Sequence, residues 1–433
     1  MSRTRVTLLV VLSLLLFASS CSDKTTTEPA PLSNDNFVIS SVSREKAPQV
    51  SDADLAAAVA GEADFTLKAF PLLESNPDKN VVFSPYSITL AVALAATGAQ
   101  GTTLSEIETA MSFTLPQELL NPAFNKLDLL LASKATGTVH EDGSLSPQLN
   151  IVNAVWAQSG YSLLPAYLDS IALNYGAGLH LVDYINATEA SRQTINAWVN
   201  DQTNSRIPEL MEQGSVTDST RVVLTNAIWF KANWSSKFPV VRTASRNFYN
   251  RDTTPAVVSF MSQTFNVPAV SNSECQAVDI PYLDNNLSML VVMPTGTFDS
   301  FLAGLNPAKL SSIIGQLSDQ EVALSLPKFT FNTAAGLNSV LKSLGMSAAF
   351  DPTNADFSGI TGNYDLSIQE VVHKAFISVD ENGTEAAAAT GLSMGNTSVP
   401  PTPAIINIDH PFIFAIRDRQ TGTILFLGKV VTL

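Results

Sequence analysis

Two hydrophobic periods run along this chain. Residues 55–73 and 186–204 carry apolar side chains at helical spacing, as in Ile195, Trp198 and Val199, and predict helices with one buried face. Residues 87–99 are apolar nearly throughout, which predicts a helix buried on all sides and therefore a large fold around it. Runs of β-branched, aliphatic and aromatic residues at 222–224, 227–230, 287–293, 322–326 and 424–427 predict buried strands, and 277–280 reads the same way. There is no repeating βαβ pattern, no internal repeat, and no Pro/Gly-rich linker between residues 52 and 433. The pattern predicts one α+β domain over 52–433.

Upstream of residue 52 the pattern changes. Arg3 and Arg5 precede an apolar run over residues 6–17, broken only by Thr7 and Ser13, and Ala18, Ser19, Ser20 and Cys21 follow. This is the layout of a secretory signal over 1–20, too short to cross a bilayer. Small residues before a cysteine resemble the lipobox of bacterial lipoproteins, which implies that Cys21 is diacylated and becomes the new N-terminus. Ala18 stands where leucine is commonest in that motif, and the alternative is an ordinary secretion signal cleaved near a cysteine. Residues 22–51 are rich in Ser, Thr, Pro, Asp and Asn without a period, which predicts a flexible tether with a reach of about 30 Å. The expected location is outside the cytoplasm, either anchored at the cell envelope by lipid or secreted.

Composition narrows the chemistry. A chain that is 45% hydrophobic and 15% charged is folded, not disordered. A net charge of −15 repels phosphate backbones and anionic headgroups, so no nucleic acid partner is expected, and no membrane contact except through the N-terminal lipid. Two cysteines and four histidines leave no disulfide framework and little material for a zinc site; no metal or cofactor is expected. Cys275 adjoins the predicted strand at 277–280 and is expected to be buried and unreactive.

Four separated blocks resemble the serpin family: NVVFSPYSI at 80–88, LTNAIWFKANW at 224–234, VDENGTEAAAAT at 379–390 preceded by Val372, His373, Lys374 and Ala375, and INIDHPFIFAI at 406–416. The resemblance covers nearly all of residues 55–433. It implies the serpin fold: about three β-sheets, eight or nine helices and an exposed reactive-centre loop at about 381–403. It further implies a buried polar "shutter" of Ser84, Pro85, Ser87, Asn226 and His373, with His373 structural, not catalytic. A "breach" ion pair of Lys328 and Glu381 near Trp234 is implied as well. The loop hinge would comprise Glu381, Gly383, Thr384, Glu385, Ala386, Ala387, Ala388, Ala389 and Thr390.

The hinge residues support this on their own chemistry. Residues 384–389 have the composition of a helix start, yet 390–397 form helix poorly, and nothing from 384 to 397 forbids a strand. Alternate residues Thr384, Ala386, Ala388, Thr390, Leu392 and Met394 make one uncharged face, small at first and larger later, with Glu385 on the other face. Such a segment enters a packed sheet at little steric cost. The family mechanism it implies is trapping of a protease as an acyl-enzyme while the cut loop becomes a new strand, with Thr384 near the surface beforehand. Counting the family spacing from Glu381 places the reactive bond at Thr397–Ser398, with Met394–Gly395 as the alternative register. A small β-branched residue there suits elastase-like or subtilisin-like serine proteases, with a cysteine protease as a further class. A non-inhibitory serpin with a binding or structural role at the surface is the other reading.

Two further functions are disfavoured by the residues that would carry them. Residues 391–395 fit the G-x-S-x-G nucleophile elbow, with Asp409 and His410 downstream. The elbow needs a hydrophobic strand before the serine and a helix after it, and here alanines precede while Pro400, Pro401 and Pro403 follow. The stretch at 121–135 offers only Lys126 and Lys134 against Asp128, so no heparin-type polyanion is expected. The protein is expected to be a monomer and not an enzyme.

Overall fold

The structure, a computed structural model, describes residues 36–73, 76–385 and 402–433. Its centre is the helix Pro85–Ala96, in which every residue is buried. Ser84 caps it by accepting a hydrogen bond from the Ser87 N–H, and Pro85 fills the first helical position, where a missing N–H costs nothing. This helix packs on the strands Gln148–Gln158 and Val222–Asn233 on one side and on Ile424–Val430 on the other, and so joins two sheets.

The central sheet has seven strands in the order Phe37–Val38, Leu179–Val182, Gln148–Gln158, Val222–Asn233, Gly383–Thr384, Ile368–Val379 and Phe329–Gly336. Its two middle long strands, Val222–Asn233 and Ile368–Val379, run parallel and pair from Ile368↔Val222 to Ala375↔Ile228. The opposite face is covered by the helix Thr188–Gln202, whose Ile195 and Val199 join a second apolar cluster with Trp156, Val223 and Ala227. Nine strands form the other sheet. Among the described residues the sheets number two, against about three expected, because the 17-residue strand Pro255–Ser271 pairs with Ala244–Tyr249, Ser318–Pro327 and Cys275–Pro281 and so joins what would be separate sheets into one. Ten α-helical segments occur among the described residues, against eight or nine expected, and Ser358–Thr361 is a single turn.

Residues 36–51 differ from the expected tether. Phe37–Val38 pairs with His180 and Leu179 as an edge strand. Arg44 meets Asp128 at 2.7 Å and Asn125 at 2.8 Å, the Glu45 N–H donates to the Leu173 carbonyl, and the Val50 carbonyl accepts from Lys126. A composition typical of linkers is overridden here by specific partners on the body of the domain, and the part of the expected tether upstream of 36 lies outside the described residues.

Candidate functional site

Register brings three polar residues side by side in the middle of the central sheet. Asn226 stands opposite Asn153 on one neighbour and opposite His373 on the other. The Ser84 N–H donates to His373 Nε2 at 3.1 Å. Because that nitrogen accepts, the neutral ring carries its proton on Nδ1, which donates to Asn226 Oδ1. Asn226 Nδ2 donates in turn to Ser87 Oγ and Asn153 Oδ1, and Asn153 Nδ2 returns a bond to the Ser87 carbonyl at 3.2 Å. Ser84, Ser87, Asn226 and His373 are fully buried, and Pro85 lies in the same helix turn. Asn153 is a member that sequence reading missed; the available signal was one amide inside the apolar run at 151–156.

Burial pushes His373 down to about 3 from an ordinary 6.5. A lowered folded value means that its contribution to stability is complete above pH 6.5 and is lost as pH falls towards 3. Glu62, fully buried in the helix Asp52–Ala69, behaves oppositely: burial raises it to about 8 against the hydrogen bonds from Ile424 and Thr66, from an ordinary 4.5. Its contribution is complete below pH 4.5 and is lost as pH rises through 8. Between 4.5 and 6.5 the two slopes cancel. Thermal midpoints at a fixed scan rate are therefore expected to hold a plateau there and to fall on both sides, by several kcal/mol of stability in all. Glu62→Gln should flatten the alkaline limb and, with the His373 slope no longer cancelled, turn the plateau between 4.5 and 6.5 into a rise with pH; an unchanged alkaline limb would contradict the assignment.

At one end the two middle strands part. After Val379 the chain turns at Asp380, whose carboxylate accepts from the Asn382 N–H at 2.7 Å, and Gly383–Thr384 runs back between them. Gly383 lies opposite Asn233, and Thr384 opposite Ala232 and Val379. Thr384 is buried, and its hydroxyl bonds to Tyr282 Oη at 2.7 Å. This corrects the expectation that residue 384 lies near the surface: the space between the strands is already open to that depth, and Tyr282, which directly follows the strand Cys275–Pro281 of the other sheet, supplies a partner. The helix start allowed by composition does not form at 383–384, which are strand.

Glu385 projects to the other face at a left-handed φ of 51°, with its carboxylate bonded to Arg206 at 2.9 Å and to the indole N–H of Trp229. The Arg206 guanidinium also lies 5.0 Å from the Trp229 ring centre. None of Arg206, Trp229 or Tyr282 was foreseen as part of the site.

The adjoining ion pair is formed. Lys328 Nζ meets Glu381 Oε2 at 2.7 Å, and Thr243 Oγ1 donates to Oε1 at the same distance. Burial raises the Glu381 carboxyl, but these two bonds outweigh it and hold it below the usual carboxylate range. Trp234 stacks on Tyr282 at 4.6 Å and donates its indole N–H to the Asp380 carbonyl at 2.9 Å. Lys126 and Lys134 are both committed, to the Val50 carbonyl and to buried Asp418. Cys275 is buried, and burial raises its thiol. Asp409 and His410 bond to each other at 2.7 Å. Cys21, Ala386, Ala387, Ala388, Ala389, Thr390, Met394, Gly395, Thr397 and Ser398 lie outside the described residues.

Fold and site together define a class: a single α+β domain whose central sheet is split at one end by the first residues of a loop and fastened below by buried amide and imidazole bonds. The chain belongs to the serpin family. The family's sequence model, described as Serpin (serine protease inhibitor), matches residues 60–433. An uncharacterized serpin-like protein of Thermococcus kodakarensis is 37% identical over 99% of both chains. Leukocyte elastase inhibitor A of Mus musculus is 34% identical over 84% of this chain and 97% of its own. Among solved structures, the native state of the thermophilic serpin tengpin aligns with a TM-score of 0.78 and 27% identity, over 92% of this chain and 98% of its own.

Proposed function

We propose that the protein is an inhibitory serpin that traps an elastase-like or subtilisin-like serine protease as a covalent acyl-enzyme. The observation that carries this is the place of Gly383–Thr384, already paired on both sides within the central sheet. Continuing that antiparallel register sets residue 386 opposite Phe230, 388 opposite Ile228 and 390 opposite Asn226. The strands are zipped from Ala375↔Ile228 downward, so further insertion must part them and break the His373–Asn226 bond. Thr390 would bring a hydroxyl to that level, where the freed amide and imidazole need a partner.

In the covalent step the protease serine Oγ attacks the Thr397 carbonyl carbon. The Thr397–Ser398 amide bond breaks, the Ser398 amine leaves with a proton from the protease's general acid, and Thr397 remains as an ester. Residues 384–397, once extended, carry that ester about 45 Å along the sheet before water completes hydrolysis. The small β-branched Thr397 fits a shallow apolar specificity pocket, and the name of the mouse relative points to the same protease class. Met394–Gly395 is the alternative bond.

Titration of a fixed amount of an elastase-like protease tests the reading. Activity is expected to fall to zero near an equimolar amount. Full protease activity alongside a cut loop contradicts it.

The polar segment at 22–35 and the Ala-Ser-Ser-Cys motif support a lipid anchor at Cys21, with acyl chains contributing about 0.8 kcal/mol per buried CH₂. Cys21→Ser is expected to move the protein from the membrane to the soluble fraction in a host with lipoprotein processing, with inhibition unchanged. A serine variant that stays membrane-bound contradicts the anchor.

A further inference from the structure

The connector that follows the helix Thr188–Gln202 is strained. Asn204 and Ser205 stand one after the other at left-handed φ values of 51° and 61°, a conformation uncommon outside glycine. What this backbone presents is Arg206. Its guanidinium donates back to the Asn204 carbonyl at 3.0 Å, lies over the Trp229 ring, and gives its Nε–H to the Glu385 carboxylate at 2.9 Å. Glu385 also accepts from the Trp229 indole N–H, and its side chain is only 8% exposed. Neither charge has another ion partner among the described residues.

The strand Gly383–Thr384 ends here, and not because its neighbours close on it. Val222–Asn233 and Ile368–Val379 pair directly with each other only as far as Ala375↔Ile228. Continuing the register of Gly383–Thr384 sets residue 385 level with Lys231 and Ser378, and residue 386 level with Phe230 and Ile377, where the two strands are not paired to each other. The Glu385 N–H already donates to the Ser378 carbonyl at 2.9 Å. The strand stops because Glu385 has a φ of 51°, where an antiparallel strand needs about −140°. A residue with a Cβ keeps such a φ only when its surroundings hold it there. The groups that hold this side chain are Arg206 and Trp229.

We propose that Arg206 is a positioning residue for loop insertion: paired with Glu385 and stacked on Trp229, it keeps Glu385 in its left-handed turn and stops the inserted strand at Thr384 until the loop is cut. Its purpose rests on the inhibitory reading, while its geometry does not. For the strand to advance, Glu385 must rotate to an extended φ and leave Arg206. It would then stand across from Lys231, a cation with no ion partner among the described residues.

Glutamate labelled with ¹³C in the uncut full chain reports the turn, because a Cα resonance follows φ, and the Glu385 signal is identified by its loss in Glu385→Gln. Arg206→Ala is expected to move that signal from the left-handed to the extended range. It should also slow the first cut of the loop by an elastase-like protease about threefold or more, since residues drawn into the sheet are lost to the protease. Arg206→Lys keeps the cation and should keep the wild-type signal and cutting rate, with melting curves showing that each variant is folded. Both readouts precede trapping, so a wild type that is cut without being trapped counts against the inhibitory reading alone. A Glu385 signal that stays in the left-handed range in Arg206→Ala, a first cut as fast as in the wild type, or equal behaviour of the lysine and alanine variants overturns the proposal.

Discussion

Ala388→Arg is expected to turn the inhibitor into a substrate without lowering the thermal midpoint of the uncut protein. If the register of Gly383–Thr384 continued on insertion, residue 388 would come level with Ile228, where Val222–Asn233 and Ile368–Val379 are already paired through Ala375. Under the proposed mechanism residue 388 would enter the sheet there only on insertion. Its side chain would then point to the face of Thr384 and Phe230, against the apolar contact of Phe230 with Tyr282 and Phe426. An unpaired guanidinium there costs several kcal/mol. Insertion slows, hydrolysis of the acyl-enzyme overtakes it, and the number of inhibitor molecules consumed per protease should rise at least tenfold. The check is the stoichiometry of inhibition beside a melting curve. Unchanged stoichiometry means that the inserted strand does not follow this register.

Gly383→Ala is expected to disturb the uncut protein itself. A Cβ at residue 383 would sit 1.9 Å from the Ala232 carbonyl oxygen and 2.8 Å from Asn233 Cα, both backbone atoms with little freedom to move. The φ of 156° is also one that side chains with a Cβ rarely adopt. The segment must leave the gap, which strips Tyr282 Oη of Thr384 and Trp229 of Glu385. Losing a partner for a buried hydroxyl alone costs about 1–3 kcal/mol. The melting temperature should fall by several degrees and tryptophan emission should change. Tyr282→Phe, which removes the same bond without the clash, should show a smaller drop in melting temperature. A variant at residue 383 with wild-type melting and emission would refute the tight pairing described here.

Much of the architecture was legible in the sequence where burial is uniform. The helix Pro85–Ala96 announced itself because no side is polar. The strand Val222–Asn233 did so only in pieces, since Thr225 and Asn226 interrupt its apolar run. Both are buried, and their partners, the Trp156 indole N–H at 2.9 Å and His373, come from other strands. No local pattern encodes such partners. The same limit hid Tyr282 and Arg206, which reach the hinge across roughly 100 and 180 residues of chain. The polar residues of the central cluster were found through their motif, which supplied residue types but not geometry; Asn153 lay outside it. Residues 36–51 were misjudged because composition reports a segment's capacity for disorder and not the partners waiting for Arg44.

Under the proposed mechanism, cleavage at the loop leads to a trapped ester. Incubation of the purified protein with an elastase-like serine protease, followed by denaturing electrophoresis and mass spectrometry, tests it most directly. The expected result is a complex that survives SDS, containing one copy of each protein, and a released fragment beginning at Ser398. A fragment beginning at Gly395 moves the bond to Met394 and keeps the mechanism. A cut loop with free, active protease and no covalent complex contradicts it.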